Sequence, residues 1–268
     1  MKADKRLGQH FLRDAEVLED IAAVTDVARS AGALEIGPGE GALTAWLLKA
    51  GKPVHAIDAD ARAVNELRAR FGDALEVVLG DATRDDLGAL LPVCEPGAVG
   101  VFARPVVVGN LPYNAASIIH RRVLALGSRV ARSVLMFQKE VALRLVARPG
   151  VHDYGVPSII TAVAAKAWIV REVGPHAFEP RPKVDSAVVL IEPLATPLIP
   201  DAELEAFGDF VGKAFQQRRK TLGNAMAGQR ELLEAAGIAL SRRAEELAPE
   251  VWVSLWERSR ASGLEPKE

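Results

Sequence analysis

The sequence predicts an α/β protein with a mostly parallel seven-stranded sheet, followed by a small all-α domain. Between about residues 33 and 147, short apolar runs alternate with helical patterns roughly every 20–25 residues, which is typical of βαβ units. From Asp201 onward every stretch has helical periodicity. The order of these patterns indicates a Rossmann-like architecture with a helical appendage.

The elements follow one another in a regular order. The spacing of apolar residues predicts a helix over 15–29 ahead of the sheet. The seven predicted strands are 33–36, 53–58, 75–79, 105–108, 133–137, 167–173 and 186–191. The predicted helices between them are 42–50, 61–71, 117–126, 139–147 and 156–165. The last two strands are joined by a proline-rich loop without a crossover helix, which predicts that they are antiparallel neighbours.

A proline-punctuated stretch over 193–200 separates the sheet region from the helical region. We therefore expect two domains, 1–195 and 196–268.

Composition narrows the function classes. With 49% hydrophobic and 25% charged residues the chain resembles an ordinary well-cored protein. A net charge of −2 argues against nucleic-acid binding through bulk electrostatics, although a local basic cluster such as Arg218-Arg219-Lys220 can still contact phosphates. The single cysteine, Cys94, cannot form an internal disulfide or a zinc site by itself, so no metal is expected. No apolar run reaches the ~18 residues of a membrane span, and we expect a cytoplasmic protein with no membrane partner.

A glycine-rich loop, Glu35-x-Gly37-x-Gly39-x-Gly41, leaves the first strand and opens a helix. Such a loop lets the backbone approach a ligand closely, which favours a nucleotide-like cofactor over a merely tight turn. With Ala42 as the last small residue it also satisfies the dinucleotide pattern. Glu35 favours another cofactor, because a carboxylate repels a diphosphate but can hold an ammonium through water.

Acidic residues end the next two strands. Asp58 can accept hydrogen bonds from both hydroxyls of a ribose, while Asp60 is placed to cap the following helix. Asp81 can accept from an adenine amino group of a cofactor, or it can be a helix cap; the local sequence leaves both open. Because carboxyl ends of parallel strands meet at one edge of a sheet, we expect these acids to lie together.

The run Asn110-Leu111-Pro112-Tyr113 closes the fourth strand. An exocyclic aromatic amine is a poor nucleophile, because its lone pair is delocalised into the ring. The Asn110 side-chain oxygen and the Leu111 carbonyl can accept its two N–H bonds and direct the lone pair outward, and Pro112 fixes the turn. Tyr113 offers a flat face for the base. The alternative is a plain strand-end turn with an exposed tyrosine.

Phe178 lies in a proline-stiffened segment, Phe178-Glu179-Pro180-Arg181-Pro182. It can close the second face of the base opposite Tyr113. The alternative, favoured by the local sequence alone, is a buried loop phenylalanine.

Taken together these motifs resemble the ribosomal RNA adenine N6,N6-dimethyltransferase family, the KsgA/Erm group. The likeness spans nearly the whole chain. The motifs that carry it are Leu7-Gly8-Gln9-His10-Phe11-Leu12, the Glu35–Gly41 loop, Asp58-Ala59-Asp60, Gly80-Asp81-Ala82, Asn110–Tyr113, Gln138-Lys139-Glu140, Phe178–Ser186 and Phe215–Leu222.

The resemblance implies a Rossmann-like S-adenosylmethionine-dependent methyltransferase fold, with S-adenosylhomocysteine as the cofactor product. It also implies dimethylation of two adjacent adenosines in the 3′-terminal hairpin loop of 16S rRNA, by a monomer that takes part in small-subunit biogenesis. The expected cofactor residues are Gln9, His10, Leu12, Glu35, Gly37, Gly39, Asp58, Ala59, Asp81, Ala82 and Asn110. The expected catalytic residues are Asn110, Leu111, Pro112, Tyr113 and Phe178, and the expected RNA contacts are Arg218, Arg219 and Lys220. Domain 1–195 would bind the cofactor and domain 196–268 the ribosomal RNA.

Three positions depart from the family pattern. Asp58 replaces the usual glutamate at the ribose, Ala115-Ala116 replaces a branched–hydroxyl pair, and Val156-Pro157-Ser158 stands where the family often has Arg-Leu-Ser. The last change removes a positive charge that could lie near RNA. Three alternative functions stay open. One is a DNA adenine methyltransferase, against which the Gln217–Lys220 element argues. Another is an assembly checkpoint whose binding outweighs its catalysis, and the third is an NAD-dependent dehydrogenase, which the glycine loop alone does not exclude.

Overall fold

The computed structural model describes residues 8–93, 103–217 and 219–261. Leu7 of the N-terminal motif, Cys94 and Arg218 lie outside these ranges, so the structure places none of them. Within the described ranges no helix is long and apolar enough to cross a membrane.

The predicted seven-stranded sheet is confirmed. The strands of the chain are β1 (Phe11–Leu12), β2 (Ala33–Ile36), β3 (Val54–Asp58), β4 (Glu76–Leu79), β5 (Val106–Asn110), β6 (Ser133–Gln138), β7 (Ala165–Val173), β8 (Phe178–Glu179) and β9 (Ser186–Pro193). The large sheet has the order β4-β3-β2-β5-β6-β9-β7. The strands from β4 to β6 are parallel, and β9 is antiparallel to β6. β7 and β9 are neighbours, as the proline-rich connection predicts.

The helices follow the predicted order; the helix over 61–71 has its predicted bounds, and the other predicted helices are shorter. They are α1 (Ala15–Thr25), α2 (Ala42–Leu48), α3 (Ala61–Phe71), α4 (Ala116–Leu124), α5 (Lys139–Val146), α6 (Val156–Ala164), α7 (Leu204–Phe215), α8 (Leu222–Ala225), α9 (Arg230–Ala235) and α10 (Pro249–Ala261). α1 ends four residues before the predicted end, because Asp26 adopts a left-handed conformation with φ 54° and a 3₁₀ turn follows. Asp60 caps α3 by accepting from the Arg62 N–H, as predicted.

The register of the parallel strands brings the site residues to one edge. Ile36 of β2 pairs with Ile57 of β3, and Asp58 pairs with Leu79 of β4. β5 pairs with the other side of β2 and ends at Asn110. The residues that follow these strand ends therefore meet above the same edge of the sheet, where open α/β sheets bind ligands.

Burial of the sheet on both faces explains why its strands are continuous apolar runs in the sequence. β2 is buried at all four positions and β5 at its first four, since the sheet is covered on both faces. Val17 and Ile21 of α1 pack with Leu43 and Leu47 of α2 in one hydrophobic cluster.

A two-stranded antiparallel sheet of β1 and β8 was not predicted. Phe11 pairs with Glu179 and Leu12 with Phe178. Strands of two residues carry no periodicity, and these two are separated by more than 160 residues of chain. The segment around Phe178, predicted as a loop, is thus a short strand that fixes the N-terminal motif.

The chain divides into two compact units. The first comprises residues 1–142 and 167–193, and the second residues 143–166 and 194–268. The second division point lies within two residues of the boundary placed at 195/196. Residues 143–166, placed by sequence in the first domain, group with the C-terminal helices because α6 packs on α7 and α10.

The second unit has its own core. Trp252, Phe207 and Phe210 are almost completely buried. The Tyr154 hydroxyl donates to the Leu247 carbonyl at 2.8 Å, and its ring packs edge-on against Phe215. A small unit of short helices is thus held by a cluster of large aromatic side chains.

Candidate active site

A cavity of about 330 Å³ lies at the carboxyl edge of the sheet, within the first unit. Its volume is that of a small-molecule site. The structure brings fourteen predicted residues together in its lining: Gln9, His10, Leu12, Glu35, Gly37, Gly39, Asp58, Ala59, Asp81, Ala82, Asn110, Leu111, Pro112 and Tyr113. Phe178 is not among the lining residues, and Arg219 and Lys220 are exposed residues of the second unit.

The glycine loop folds through three left-handed positions. Gly37, Gly39 and Gly41 have φ angles of 69°, 55° and 75°, a region that side chains rarely adopt. A Cβ on Gly39 would lie 3.0 Å from the Phe11 ring, so the loop also needs a small residue there for packing. The sequence pattern therefore reflects both backbone conformation and the close approach of β1.

Asp58 anchors that loop. One carboxylate oxygen accepts from the Gly39 N–H at 3.0 Å and the other from the Asp60 N–H at 2.8 Å. Burial raises the pKa of Asp58, and backbone donors at Asp60, Gly39 and Ala59 oppose the rise. A carboxylate has about four acceptor positions, so a cofactor hydroxyl can be accepted without losing the anchor.

Glu35 is a buried carboxylate below the loop, only 2% exposed. It accepts a hydrogen bond from the Thr44 hydroxyl at 2.6 Å. Burial raises its pKa to about 7, against the opposing effect of Thr44. A cationic ligand in the cavity favours the ionised form of this carboxyl, which fits the predicted role towards an ammonium.

Asp81 lines the cavity and orders the turn that follows it. Its Oδ1 accepts from the backbone N–H and the hydroxyl of Thr83 at 2.9 and 2.6 Å, and these bonds lower its pKa. It thus stabilises a local turn, but the described residues 82–93 contain no helix for it to cap, so the helix-cap alternative is not supported. It also lines the cavity, as the adenine alternative requires.

The Asn110 amide is held by the N-terminal segment. Its Nδ2 donates to the His10 carbonyl at 2.9 Å. This bond fixes the orientation of the amide through one of its two N–H groups and leaves Oδ1 as the group that can accept from a substrate amine. Leu111 lines the cavity and is 2% exposed, and contact of its carbonyl with a substrate amine stays a prediction.

Tyr113 is fixed at two points. Its hydroxyl shares a 2.7 Å hydrogen bond with Ser186 of β9, and its ring stacks on the His10 ring at a centroid distance of 5.5 Å and an interplanar angle of 29°. The aromatic partner that the structure gives Tyr113 is therefore His10, which sequence reasoning assigned to the cofactor motif. Phe178 is 3% exposed within the hydrophobic cluster, so its contact with a base stays a prediction.

Residues 9–13, here called the strap, bind three strand ends at once. Gln9 donates to Asp60 at 3.1 Å, the His10 carbonyl accepts from Asn110, and Arg13 pairs with Glu40 of the glycine loop. Sequence reasoning placed Gln9, His10 and Leu12 at the cofactor but did not find these ties. Their partners are 51 and 100 residues away for Gln9 and His10, beyond any local signal.

Comparison with protein families identifies the kind of cofactor that binds in the cavity at the carboxyl edge of the sheet. The family model described as "Ribosomal RNA adenine dimethylase" matches residues 1–260. The chain belongs to the ribosomal RNA adenine dimethylase family. The predicted enzyme class, an rRNA adenine dimethyltransferase, and the use of S-adenosylmethionine rather than NAD are thus confirmed.

Relatives of similar length are also named as ribosomal RNA methyltransferases. A protein of Mesorhizobium japonicum named ribosomal RNA small subunit methyltransferase A is 40% identical over 264 residues, covering 95% of this chain and 92% of its own. A protein of the same name from Burkholderia pseudomallei (strain 668) is 36% identical over 270 residues, covering 97% of this chain and 96% of its own.

Solved structures confirm the fold class. The 23S rRNA methyltransferase ErmE superposes with a TM-score of 0.66 at 26% identity, covering 92% of this chain and 98% of its own. A dimethyladenosine transferase from Plasmodium falciparum gives a TM-score of 0.74 at 24% identity, covering 95% of this chain and 98% of its own. The likeness to the second protein concerns the fold alone.

Proposed function

We propose that this chain transfers two methyl groups to N6 of each of two adjacent adenosines in the 3′-terminal hairpin loop of 16S rRNA. The substrate would be the small ribosomal subunit, in the cytoplasm, and the enzyme would act as a monomer during subunit biogenesis. The observation that carries the proposal is the Asn110–Tyr113 turn beside the cavity. The names of the 36–40% identical relatives support the choice of the small subunit.

The cavity residues fit S-adenosylmethionine by their chemistry. The buried Glu35 and the anchored Asp58 offer carboxylates to an ammonium and to ribose hydroxyls, and Asp81 offers one to an adenine amino group. When bound there, S-adenosylmethionine supplies an electrophilic methyl group on a positively charged sulfur.

The turn prepares the substrate amine. Asn110 Oδ1 and the Leu111 carbonyl accept the two N–H bonds of N6, so that the nitrogen lone pair points away from both acceptors. Tyr113 holds the base against its ring. No strong base is required, since the amine proton is acidic once the nitrogen carries a positive charge. The residues therefore act by positioning and by electrostatic complementarity.

The second unit would hold the RNA. Arg219 and Lys220 are exposed at the end of α7 and are proposed to contact phosphates, together with Arg218, which lies outside the described residues. An overall charge of −2 requires that such contacts be local.

The test is tritiated methyl transfer into purified small subunits that lack the modification, followed by nucleoside analysis. We expect the label in N6-methylated adenosines at two adjacent positions. Label in another nucleoside, or transfer to DNA but not to subunits, would contradict the proposal. Free 16S rRNA serves as a control for the need for the assembled subunit.

A further inference from the structure

His10 contacts both halves of the amine-orienting turn. Its backbone carbonyl accepts from Asn110 Nδ2 at 2.9 Å, and its ring stacks on Tyr113. The ring is itself held, since Nδ1 lies 2.8 Å from the Pro180 carbonyl, to which it must donate. The strap thus meets the turn through one residue.

The two contacts answer two separate needs of the turn. An amide can present either its oxygen or its nitrogen, and the carbonyl of His10 selects the orientation in which the oxygen is available. A tyrosine held only by its hydroxyl can still swing about that point. The His10 ring on one face removes this freedom and leaves the opposite face for a base.

The sequence assigned Phe178 to the far face of the base, opposite Tyr113. Phe178 pairs with Leu12 in the small sheet and is buried. β8 ends at Glu179, and the next residue along the chain is Pro180. The carbonyl that holds the His10 ring is therefore only two residues from Phe178. The Phe178 segment therefore acts on Tyr113 indirectly, through His10.

We propose that His10 is a positioning residue for methyl transfer, whose ring orients Tyr113 while its carbonyl fixes the Asn110 amide. This inference rests on the proposed function and concerns a role distinct from cofactor contact. It assigns to the strap a part in the chemistry as well as in cofactor binding.

Two variants separate the ring from the hydrogen bond. His10→Phe keeps an aromatic ring on Tyr113 but loses the Nδ1–H donor to Pro180. His10→Asn keeps a donor but loses the ring. We expect His10→Asn to lower the single-turnover rate at saturating cofactor about tenfold, and His10→Phe to lower it no more than about threefold. S-adenosylhomocysteine affinity, measured by calorimetry, sets the cofactor concentration that saturates each variant, so that a lower rate is not a loss of bound cofactor.

A second readout does not depend on any substrate. The chain has two tyrosines, Tyr113 and Tyr154, so carbon-13 labelling of tyrosine gives two sets of ring signals, assigned with Tyr154→Phe. The Tyr113 signals should keep their ring-current shift in His10→Phe and lose it in His10→Asn.

Several results would overturn the inference: a wild-type rate in His10→Asn, a loss confined to cofactor affinity, or an equal loss in both variants. Failure of the proposed function has another signature, because wild type itself would then not methylate subunits. In that case unchanged Tyr113 signals in His10→Asn would still refute the contact, and shifted signals would support it.

Discussion

Individual side chains at the sheet edge differ in charge according to their task. Glu35, Asp58 and Asp81 are acids beneath or beside the cavity, while the turn that we propose to face the substrate contributes a neutral amide and a backbone carbonyl. A neutral acceptor binds an amine without stabilising it as a cation before reaction. The division explains why Asn rather than Asp stands at position 110.

Asn110 should be the most sensitive position for the chemical step. Asn110→Ala removes one acceptor and leaves the His10 carbonyl without this donor, so we expect a loss of at least about 100-fold in single-turnover methyl transfer. Subunit binding, measured by filter retention, should stay unchanged. Asn65→Ala, at an exposed position of α3, is the matched control. Assembly defects that appear on deletion of the gene but not with Asn110→Ala would favour a checkpoint role.

Glu35 should make the stability of the cofactor-free protein depend on pH. Its pKa is about 7 in the folded protein and 4.5 as the reference value, so the folded state binds more protons between these values. Stability therefore falls as pH rises through this window and levels off above it. Urea unfolding gives the stability of Glu35→Gln relative to wild type at pH 5 and at pH 8. This difference should shift in favour of Glu35→Gln by on the order of 2–3 kcal/mol from the lower pH to the higher. A stability difference that is the same at both pH values would contradict this prediction.

At the scale of elements, the cavity is a junction of strand ends held by a few hydrogen bonds. Asp58 at the end of β3 holds the glycine loop that follows β2, and the strap ties β1 to the loops after β2, β3 and β5. The small β1–β8 sheet supports the strap from its other side. A disturbance of the glycine loop should therefore reach the strap.

Gly39→Ala tests this coupling. The new methyl group would meet Phe11 of β1 at 3.0 Å in a left-handed backbone, whereas Gly51 has a similar φ of 65° with open space around it. Gly51→Ala should cost about 1 kcal/mol of stability and leave cofactor affinity unchanged. Gly39→Ala should in addition weaken S-adenosylhomocysteine binding at least about tenfold in calorimetry. Equal affinities in the two variants would refute the coupling.

Sequence reasoning succeeded where a local pattern carries the information. The strands of the large sheet, the glycine loop and the strand-end residues Asp58, Asp81 and Asn110 follow from periodicity and from the rule that ligands bind at carboxyl ends. It failed for β1 and β8, because a pairing of two residues has no pattern of its own. His10 shows the same limit, since its partners Asn110 and Tyr113 are set by tertiary contacts across about a hundred residues of chain.

At the scale of the whole molecule, the cavity belongs to one compact unit and the proposed RNA contacts to the other. Cofactor binding and RNA binding are therefore open to separate disruption. A nearly neutral chain also gives little long-range attraction to RNA, so the exposed basic residues after α7 should dominate the salt dependence.

The double variant Arg219→Ala/Lys220→Ala should bind small subunits more weakly and with less sensitivity to salt. Loss of two phosphate contacts should reduce the slope of log affinity against log salt by roughly 1.4–1.8. Lys52→Ala, an exposed cation of the first unit, is the control and should change neither quantity. An unaltered slope in the double variant would remove these residues from the interface, whatever the fate of affinity.

The commitment of the Asn110 Nδ2 to the His10 carbonyl has a consequence for where the reaction stops. In the proposed mechanism the turn offers the substrate nitrogen two acceptors, one for each hydrogen of an unmodified amine. The first methyl group displaces one of these hydrogens, and the second leaves none. A fully modified base keeps its stacking contact but loses every hydrogen bond to the turn, so the site favours release of the finished nucleotide over that of the half-finished one. Because the turn binds the hydrogens of N6, its affinity for the base falls with each methyl group that is added.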